Sequence, residues 1–148
     1  DQVDSERIGI YGGSYGGYLT AMALARDSEL FKVGVDISGV HDMDHRYDLP
    51  DGYEVAPDYV EAKRIAWESS PIADLDQWNS PVLFIHSDDD RNVGIYHSAD
   101  LARRFDELGK PYDYLVIPGD THHWMKFSNM VKVNEATVEF LGRHLLRK

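Results

Sequence analysis

A glycine-flanked serine near the start of the chain constrains its fold more than any other feature. The stretch from Gly12 to Gly16 reads G-G-S-Y-G with Ser14 at its centre, after a short apolar run and before an alanine- and leucine-rich helical pattern. A strand, a sharp glycine turn and an immediate helix form a nucleophile elbow, whose strained backbone projects the serine oxygen. The N–H groups that open the helix favour a developing oxyanion. The pattern predicts a hydrolase elbow with Ser14 as nucleophile.

Glycine-rich loops also cradle phosphate groups, but two signatures of such loops are missing here. No lysine followed by serine or threonine closes the loop, and the G-x-G-x-x-G spacing of dinucleotide-binding loops is absent. The elbow interpretation is therefore favoured over a phosphate site or a merely flexible turn.

A serine nucleophile needs a base and an acid that orients the base, and both follow in the order typical of this elbow. The apolar run 82–85 leads into three aspartates that end at Asp90, and the run 114–117 leads into a loop with His122 and His123. Both runs have the length and branching of buried parallel strands, whose carboxyl ends meet at one side of a sheet. The spacing therefore predicts that serine, acid and histidine converge there.

Two stretches resemble metal-binding motifs without completing them. A calcium loop starting at Asp88 would need glycine and glutamate where Val93 and Ala99 stand. His41 and His45 have the spacing of a zinc-peptidase motif, but the acid between them is an aspartate and the segment follows a strand instead of lying in a helix. We therefore expect no metal and no organic cofactor.

The composition predicts a folded, acidic chain and argues against several kinds of partner. The 148 residues are 43% hydrophobic, which is enough for one core. The formal net charge of −11 argues against nucleic acid, because phosphates require clusters of lysine and arginine. The sequence has no cysteine, which excludes disulfides and thiolate chemistry. No apolar stretch is long enough for a membrane span, so we expect a soluble chain, cytoplasmic or exported.

The order of the patterns predicts the α/β class, with a mostly parallel sheet flanked by helices. The predicted strands cover residues 7–11, 32–37, 82–85 and 114–117. The predicted helices cover residues 18–26, 59–68, 96–108 and 129–146, with Gly109 ending the third. The apolar faces predicted for the last two helices include Leu108 and Val138. Neither repeats nor a linker interrupt the chain, so residues 1–148 are expected to form one domain.

The extended elbow G-G-S-Y-G-G-Y, the lead-in V-D-S-E-R-I-G and the aspartate and histidine loops resemble the prolyl oligopeptidase family of serine peptidases. The similarity is greatest to its acylaminoacyl-peptidase and dipeptidyl-peptidase-like branches, and it spans nearly the whole chain. It implies hydrolysis of short peptides through an acyl-enzyme. It also implies Ser14 as the nucleophile, Asp90 as the orienting acid and His122 as the base.

The resemblance implies further site residues and leaves two other functions open. The backbone N–H of Tyr15 is expected to help bind the oxyanion, and Tyr47 and Val93 are expected to contact the substrate. His123 is the alternative base. A triad alone is also compatible with an α/β-hydrolase esterase, and the fold alone with a non-catalytic α/β assembly module.

The family places much of its hydrolase sheet and a β-propeller before the elbow, whereas here the elbow strand is predicted to begin at residue 7. The resemblance thus implies a partial α/β-hydrolase fold of about four strands that lacks the upstream strands, as the carboxyl-terminal segment of a longer peptidase. Because part of the oxyanion hole would lie upstream, we expect this segment to be weakly active or inactive. We also expect homo-oligomers through the exposed edge of the elbow strand.

Overall fold

The computed structural model describes residues 4–50 and 52–146, and its strands form a single parallel sheet. The strands β1 (Gly9–Gly13), β2 (Val33–Ile37), β3 (Val82–Ser87) and β4 (Tyr112–Ile117) are paired in chain order. Each neighbouring pair is parallel. The predicted α/β class is therefore confirmed, and the four carboxyl ends lie on the same side of the sheet.

In the described part of the chain, four α-helices accompany the sheet: α1 (Tyr15–Arg26), α2 (Tyr59–Glu68), α3 (Tyr96–Leu108) and α4 (Phe127–Leu145). The core has two clusters, one with α1 and α3 and the other with α4. Along β3, Val82 and Phe84 belong to the first cluster, whereas Leu83 and Ile85 belong to the second. This alternation follows because successive strand residues point to opposite faces of the sheet.

The boundaries of the strands and helices lie within three residues of those predicted from the sequence. The predicted strand 7–11 begins two residues later, because Asp4 caps a 3-10 turn over Ser5–Arg7 and accepts a backbone N–H of that turn at 3.0 Å. The helices α2 and α3 have the predicted bounds. Gly109 ends α3 in a left-handed conformation with φ of 64°, as predicted.

The predicted apolar faces of α3 and α4 are each wrong at one residue. Leu108 is 54% exposed and Val138 is 72% exposed. In α4 the buried residues are Val133, Thr137 and Phe140. These positions are spaced four and three residues apart, so they form one helical stripe that leaves Val138 on the solvent side.

The strand that precedes the serine lies at one edge of the described sheet. β1 is paired with β2, and β4 forms the opposite edge. Tyr11 on β1 is 66% exposed, and Tyr15 at the start of α1 is 68% exposed. Among residues 4–50 and 52–146, the helices are too short or too polar to cross a membrane.

Candidate active site

Ser14 lies at the turn between β1 and α1 in a backbone conformation that is strained for a residue with a side chain. Its φ is 57° and its ψ is −117°. The helix begins at the next residue, Tyr15, three residues before its predicted start, because the elbow passes directly into helix. The Ser14 N–H donates to the Ile37 carbonyl of β2 at 2.8 Å, and the Ser14 carbonyl accepts from the Tyr18 N–H at 3.0 Å. The elbow is therefore fixed on both sides.

Close approach of the backbone explains two of the elbow's glycines. A Cβ atom on Gly12 would lie 2.5 Å from the carbonyl oxygen of Gly16 in the facing helical turn. A Cβ atom on Gly17 would lie 2.6 Å from Oδ1 of Asp36 in β2. Larger residues would push the helix away from the sheet and displace the serine, so the G-x-S-x-G spacing records a physical contact.

The carboxylate of Asp90, in the loop after β3, faces the loop after β4. One oxygen, Oδ2, accepts a hydrogen bond from Nδ1 of His122 at 2.6 Å. The other oxygen, Oδ1, accepts the backbone N–H groups of Asn92 and Val93 at 2.9 and 2.8 Å. Burial raises the pKa of Asp90, but the hydrogen bonds from His122 and the two amides outweigh burial and hold the pKa below its usual value. The carboxylate is therefore ionised at neutral pH.

The neighbouring aspartates of the same loop have different partners. Asp88 accepts the backbone N–H of Gly119 at 2.6 Å, which ties the two loops together. Asp89 is half exposed and pairs with Arg91 at 3.0 Å. Of the three aspartates, Asp90 is the one whose carboxylate contacts the histidine loop at His122.

A buried histidine supports the acid loop from within the fold. His86 accepts a hydrogen bond at Nδ1 from the Ser98 hydroxyl, 2.7 Å away, and donates from Nε2 to the Val93 carbonyl at 2.9 Å. Burial lowers the pKa of His86, in keeping with a neutral ring that has this tautomer. His86 thus fixes the segment that offers its amides to Asp90.

The histidine loop is shaped by a second buried carboxylate, that of Asp120. Four groups donate to it: the backbone N–H groups of Thr121, Met125 and Lys126, and the side-chain amide of Asn129. The Asn129 hydrogen bond is the main reason that the pKa of Asp120 is lowered to about 2. Because Asn129 belongs to α4, Asp120 fixes this loop to the helix that covers the face of the sheet opposite α1 and α3.

Ser14 and His122 line the same cleft, which has a volume of about 340 Å³ and lies at the carboxyl ends of the strands. Its other walls are Gly13, Ile37, Ser38, His123 and Trp124. Among the described residues other than glycine, those with positive φ are Ser14, Ser38 and Trp124, with φ of 57°, 51° and 45°. All three line this cleft, and such concentrated strain is typical of functional sites.

The remaining predicted site residues lie at different places around this cleft. Tyr15 follows the serine and opens α1, so its backbone N–H lies at the elbow. The ring of His123 lines the cleft and packs nearly perpendicular to that of His122, with centroids 5.1 Å apart. Tyr47 lines a separate cavity of about 430 Å³ beside α2, and Val93 is buried next to the acid loop. Their contacts with substrate stay predictions.

Sequence reasoning missed a buried pair beneath the elbow. Asp36, within β2, is wholly buried, and its Oδ2 lies 2.5 Å from Nε2 of His41. A single charged residue inside the apolar run V-G-V-D-I was the available signal. The two histidines of the predicted zinc-like motif therefore have different surroundings. His41 is buried against Asp36, whereas the side chain of His45, on the turn that follows, is 55% exposed.

Comparison with known proteins places this chain in a family. The chain matches the model of the Prolyl oligopeptidase family over residues 1–148. It is 30% identical over 134 residues to Dipeptidyl peptidase 8 of Homo sapiens, a match that covers 82% of this chain and 14% of that protein. It is equally similar, at 30% over 123 residues, to Inactive dipeptidyl peptidase 10 of Rattus norvegicus, covering 82% of this chain and 15% of that protein.

The fold is shared with solved peptidase structures. The Pyrococcus horikoshii acylaminoacyl peptidase superimposes with a TM-score of 0.84 at 28% identity, covering 99% of this chain and 25% of that chain. This chain therefore spans a quarter or less of the length of these relatives, and its four-stranded sheet corresponds to part of an α/β-hydrolase fold. Since the family model matches along all 148 residues, the chain belongs to the prolyl oligopeptidase family.

Proposed function

We propose that this chain carries the catalytic triad of a serine-type peptidase, with Ser14 as nucleophile, His122 as base and Asp90 as orienting acid. One observation carries the proposal: His122 donates to Asp90 at 2.6 Å while lining the same cleft as the strained Ser14. Donation from Nδ1 leaves Nε2 of the imidazole as the proton acceptor, which is the tautomer that a serine nucleophile requires. Membership of a peptidase family supports this assignment.

The reaction follows from these positions. Ser14 Oγ attacks the scissile carbonyl as His122 takes its proton, and the ionised Asp90 stabilises the resulting imidazolium. The backbone N–H of Tyr15, at the free amino end of α1, donates to the oxyanion. Collapse of this intermediate breaks the C–N bond, His122 returns the proton to the leaving amine, and water then hydrolyses the acyl-enzyme by the same path.

Short peptides are the proposed substrates. The relatives are dipeptidyl and acylaminoacyl peptidases by name, and one similar solved acylaminoacyl peptidase is in complex with Z-Gly-Gly-Phe-chloromethyl ketone. A cleft of about 340 Å³ is at the small end of the usual range for ligand pockets, which suits a few residues of peptide.

Labelling with a fluorophosphonate tests the proposal directly. We expect mass spectrometry to locate the adduct on Ser14, and we expect labelling to disappear in Ser14→Ala and His122→Ala. A chain that is folded by circular dichroism yet remains unlabelled would overturn the triad and favour a non-catalytic assembly module. An inactive relative at 30% identity makes that alternative worth testing.

Substrate chemistry separates a peptidase from an esterase. Any turnover that the chain retains should release the amine from short peptide anilides if it is a peptidase, whereas an esterase would cleave short acyl esters and leave the anilides intact. Both assays should use the same preparation, an aliquot of which has been shown to react with the fluorophosphonate. A lack of anilide cleavage then cannot be ascribed to misfolding.

A further inference from the structure

A cavity of about 430 Å³ lies beside α2, apart from the Ser14 cleft. Its apolar walls come from α2 and from the chain that follows β2, and they consist of Met43, Ala62, Ile65 and Ala66. None of the residues that line this cavity also lines the Ser14 cleft, so the two hollows have separate walls. The reaction proposed for Ser14 makes no use of this cavity.

The other walls of the cavity carry hydrogen-bond donors without partners. These donors are the guanidinium group of Arg46 and the hydroxyl groups of Tyr47 and Ser69. The backbone carbonyls of Tyr47 and Ser69 each accept a tyrosine hydroxyl, but the three side-chain groups make no hydrogen bond with any described residue. A mostly apolar hollow with a few free polar groups is typical of a small-molecule site.

Arg46 is an unpaired cation in a chain whose formal net charge is −11. Every other arginine in the described part of the chain pairs with a carboxylate. The acids closest to Arg46 in sequence are engaged elsewhere, because Asp44 and Asp48 lie 3.7 and 2.8 Å from Nζ of Lys63. Among the described residues, no carboxylate lines the cavity. An anion can therefore meet Arg46 there without meeting a like charge.

We propose that this cavity binds a short-chain fatty acid. The carboxylate accepts N–H groups of Arg46, whose planar fork matches two carboxylate oxygens, and the hydrocarbon chain packs against Ile65 and the other apolar walls. A neutral apolar molecule would leave the Arg46 charge without a partner, and an amine would be repelled by it. The carboxyl end of a peptide would place amide groups against apolar side chains, which offer them no hydrogen bonds.

The test is a titration of the 148-residue chain with hexanoate at low ionic strength, followed by NMR. The methyl signals of the apolar walls report binding directly: those of Met43, Ala62, Ile65 and Ala66. We expect these signals to shift with hexanoate, at an affinity about tenfold or more above that for hexan-1-ol or hexylamine, which have the same chain without the carboxylate. Comparable binding of either analogue would overturn the proposal.

Two further outcomes of the titration bear on the identity and the place of the ligand. N-acetyl-L-leucine presents the carboxyl end of a peptide, and we expect it to bind more weakly than hexanoate. Equal or tighter binding of N-acetyl-L-leucine would overturn the assignment to a fatty acid. Shifts confined to His122 and His123 would place hexanoate in the Ser14 cleft and would also refute the proposal.

A matched pair of variants locates the carboxylate. Arg46→Gln alters an exposed side chain that has no partner, so the fold should persist by circular dichroism while hexanoate binding weakens about tenfold. Arg64→Gln removes an exposed arginine of α2 outside the cavity and should bind hexanoate as the unaltered chain does. Unchanged binding by Arg46→Gln, or an equal loss in Arg64→Gln, refutes the proposal. The titration requires no turnover, so an unreactive Ser14 would leave this result unaffected.

Discussion

Replacing Asp90 with asparagine isolates the step that depends on its charge. The amide oxygen of Asp90→Asn can still accept the N–H groups of Asn92 and Val93, which lie 2.9 and 2.8 Å from Oδ1. The loop should therefore keep its shape. The amide NH2 group then faces Nδ1 of His122, so that nitrogen must accept instead of donate. The ring proton moves to Nε2, where it blocks transfer from Ser14.

The size of the effect follows from the 2.6 Å contact between Asp90 and His122. At an effective dielectric constant of about 20, opposite unit charges at that distance attract by about 6 kcal/mol. This attraction exists only when His122 is protonated, as it is after Ser14 has given up its proton. Removing the charge of Asp90 therefore raises the free energy of the transition state and leaves that of the resting enzyme unchanged. An energy of about 6 kcal/mol corresponds to roughly a ten-thousandfold loss of rate.

The assay is the second-order rate constant for labelling of Ser14 by a fluorophosphonate, measured alongside urea unfolding. Asp89→Asn is the matched control, since Asp89 lies in the same loop but is half exposed and pairs with Arg91. We expect labelling to fall by orders of magnitude in Asp90→Asn and to persist in Asp89→Asn. If the control loses as much, or if Asp90→Asn reacts normally, Asp90 is not the orienting acid.

Three further predictions concern the surroundings of the cleft. Because the pKa of Asp120 is about 2 when folded, against an ordinary value of 3.8, its stabilising effect is complete above about pH 4 and lost as the pH falls towards 2. Asp120→Asn should therefore lower stability to urea near neutral pH, and a difference that persists at pH 2 would contradict this. Ser38→Gly relieves a side chain held at a φ of 51° and removes a buried hydroxyl that has no hydrogen-bond partner among the described residues. The free energy of unfolding should therefore rise by about 1 kcal/mol, whereas a fall would mean that the hydroxyl is hydrogen-bonded. We also propose that the chain self-associates through the edge of β1. Light scattering should show dimers of the unaltered chain, and Tyr11→Lys should convert them to monomers, whereas the equally exposed control Tyr53→Lys should not. A monomeric unaltered chain would refute this.

Much of the fold could be predicted because its signals are local. Continuous apolar runs such as 82–85 can be satisfied only by burial on both faces, which indicates central parallel strands. Gly109 marks the end of α3 because a left-handed residue is needed there. The exposure of Val138 could not be predicted with equal ease, since it depends on the angle at which α4 meets the sheet.

Part of the candidate site could likewise be predicted from the sequence, and part could not. The placement of Ser14, Asp90 and His122 after the parallel strands β1, β3 and β4 follows from the sequence, because parallel strands bring their carboxyl ends to the same side of the sheet. The buried pair of Asp36 and His41 does not, since it depends on a side-chain contact between a strand and the loop beyond it. A charged residue in an apolar strand indicates that a partner exists without indicating which one.

Backbone strain distinguishes the Ser14 cleft from a larger cavity of about 650 Å³ between β4 and α4. Where the described chain needs positive φ simply to turn, it uses glycine, at Gly52, Gly109 and Gly119. Side chains occupy positive φ in the connections that follow three different strands, β1, β2 and β4, and each such position costs about 1–3 kcal/mol. Strained residues scattered by chance would not all line one cleft. The convergence of this strain on one cleft supports the proposal that the Ser14 cleft, the smaller of the two, is the active site.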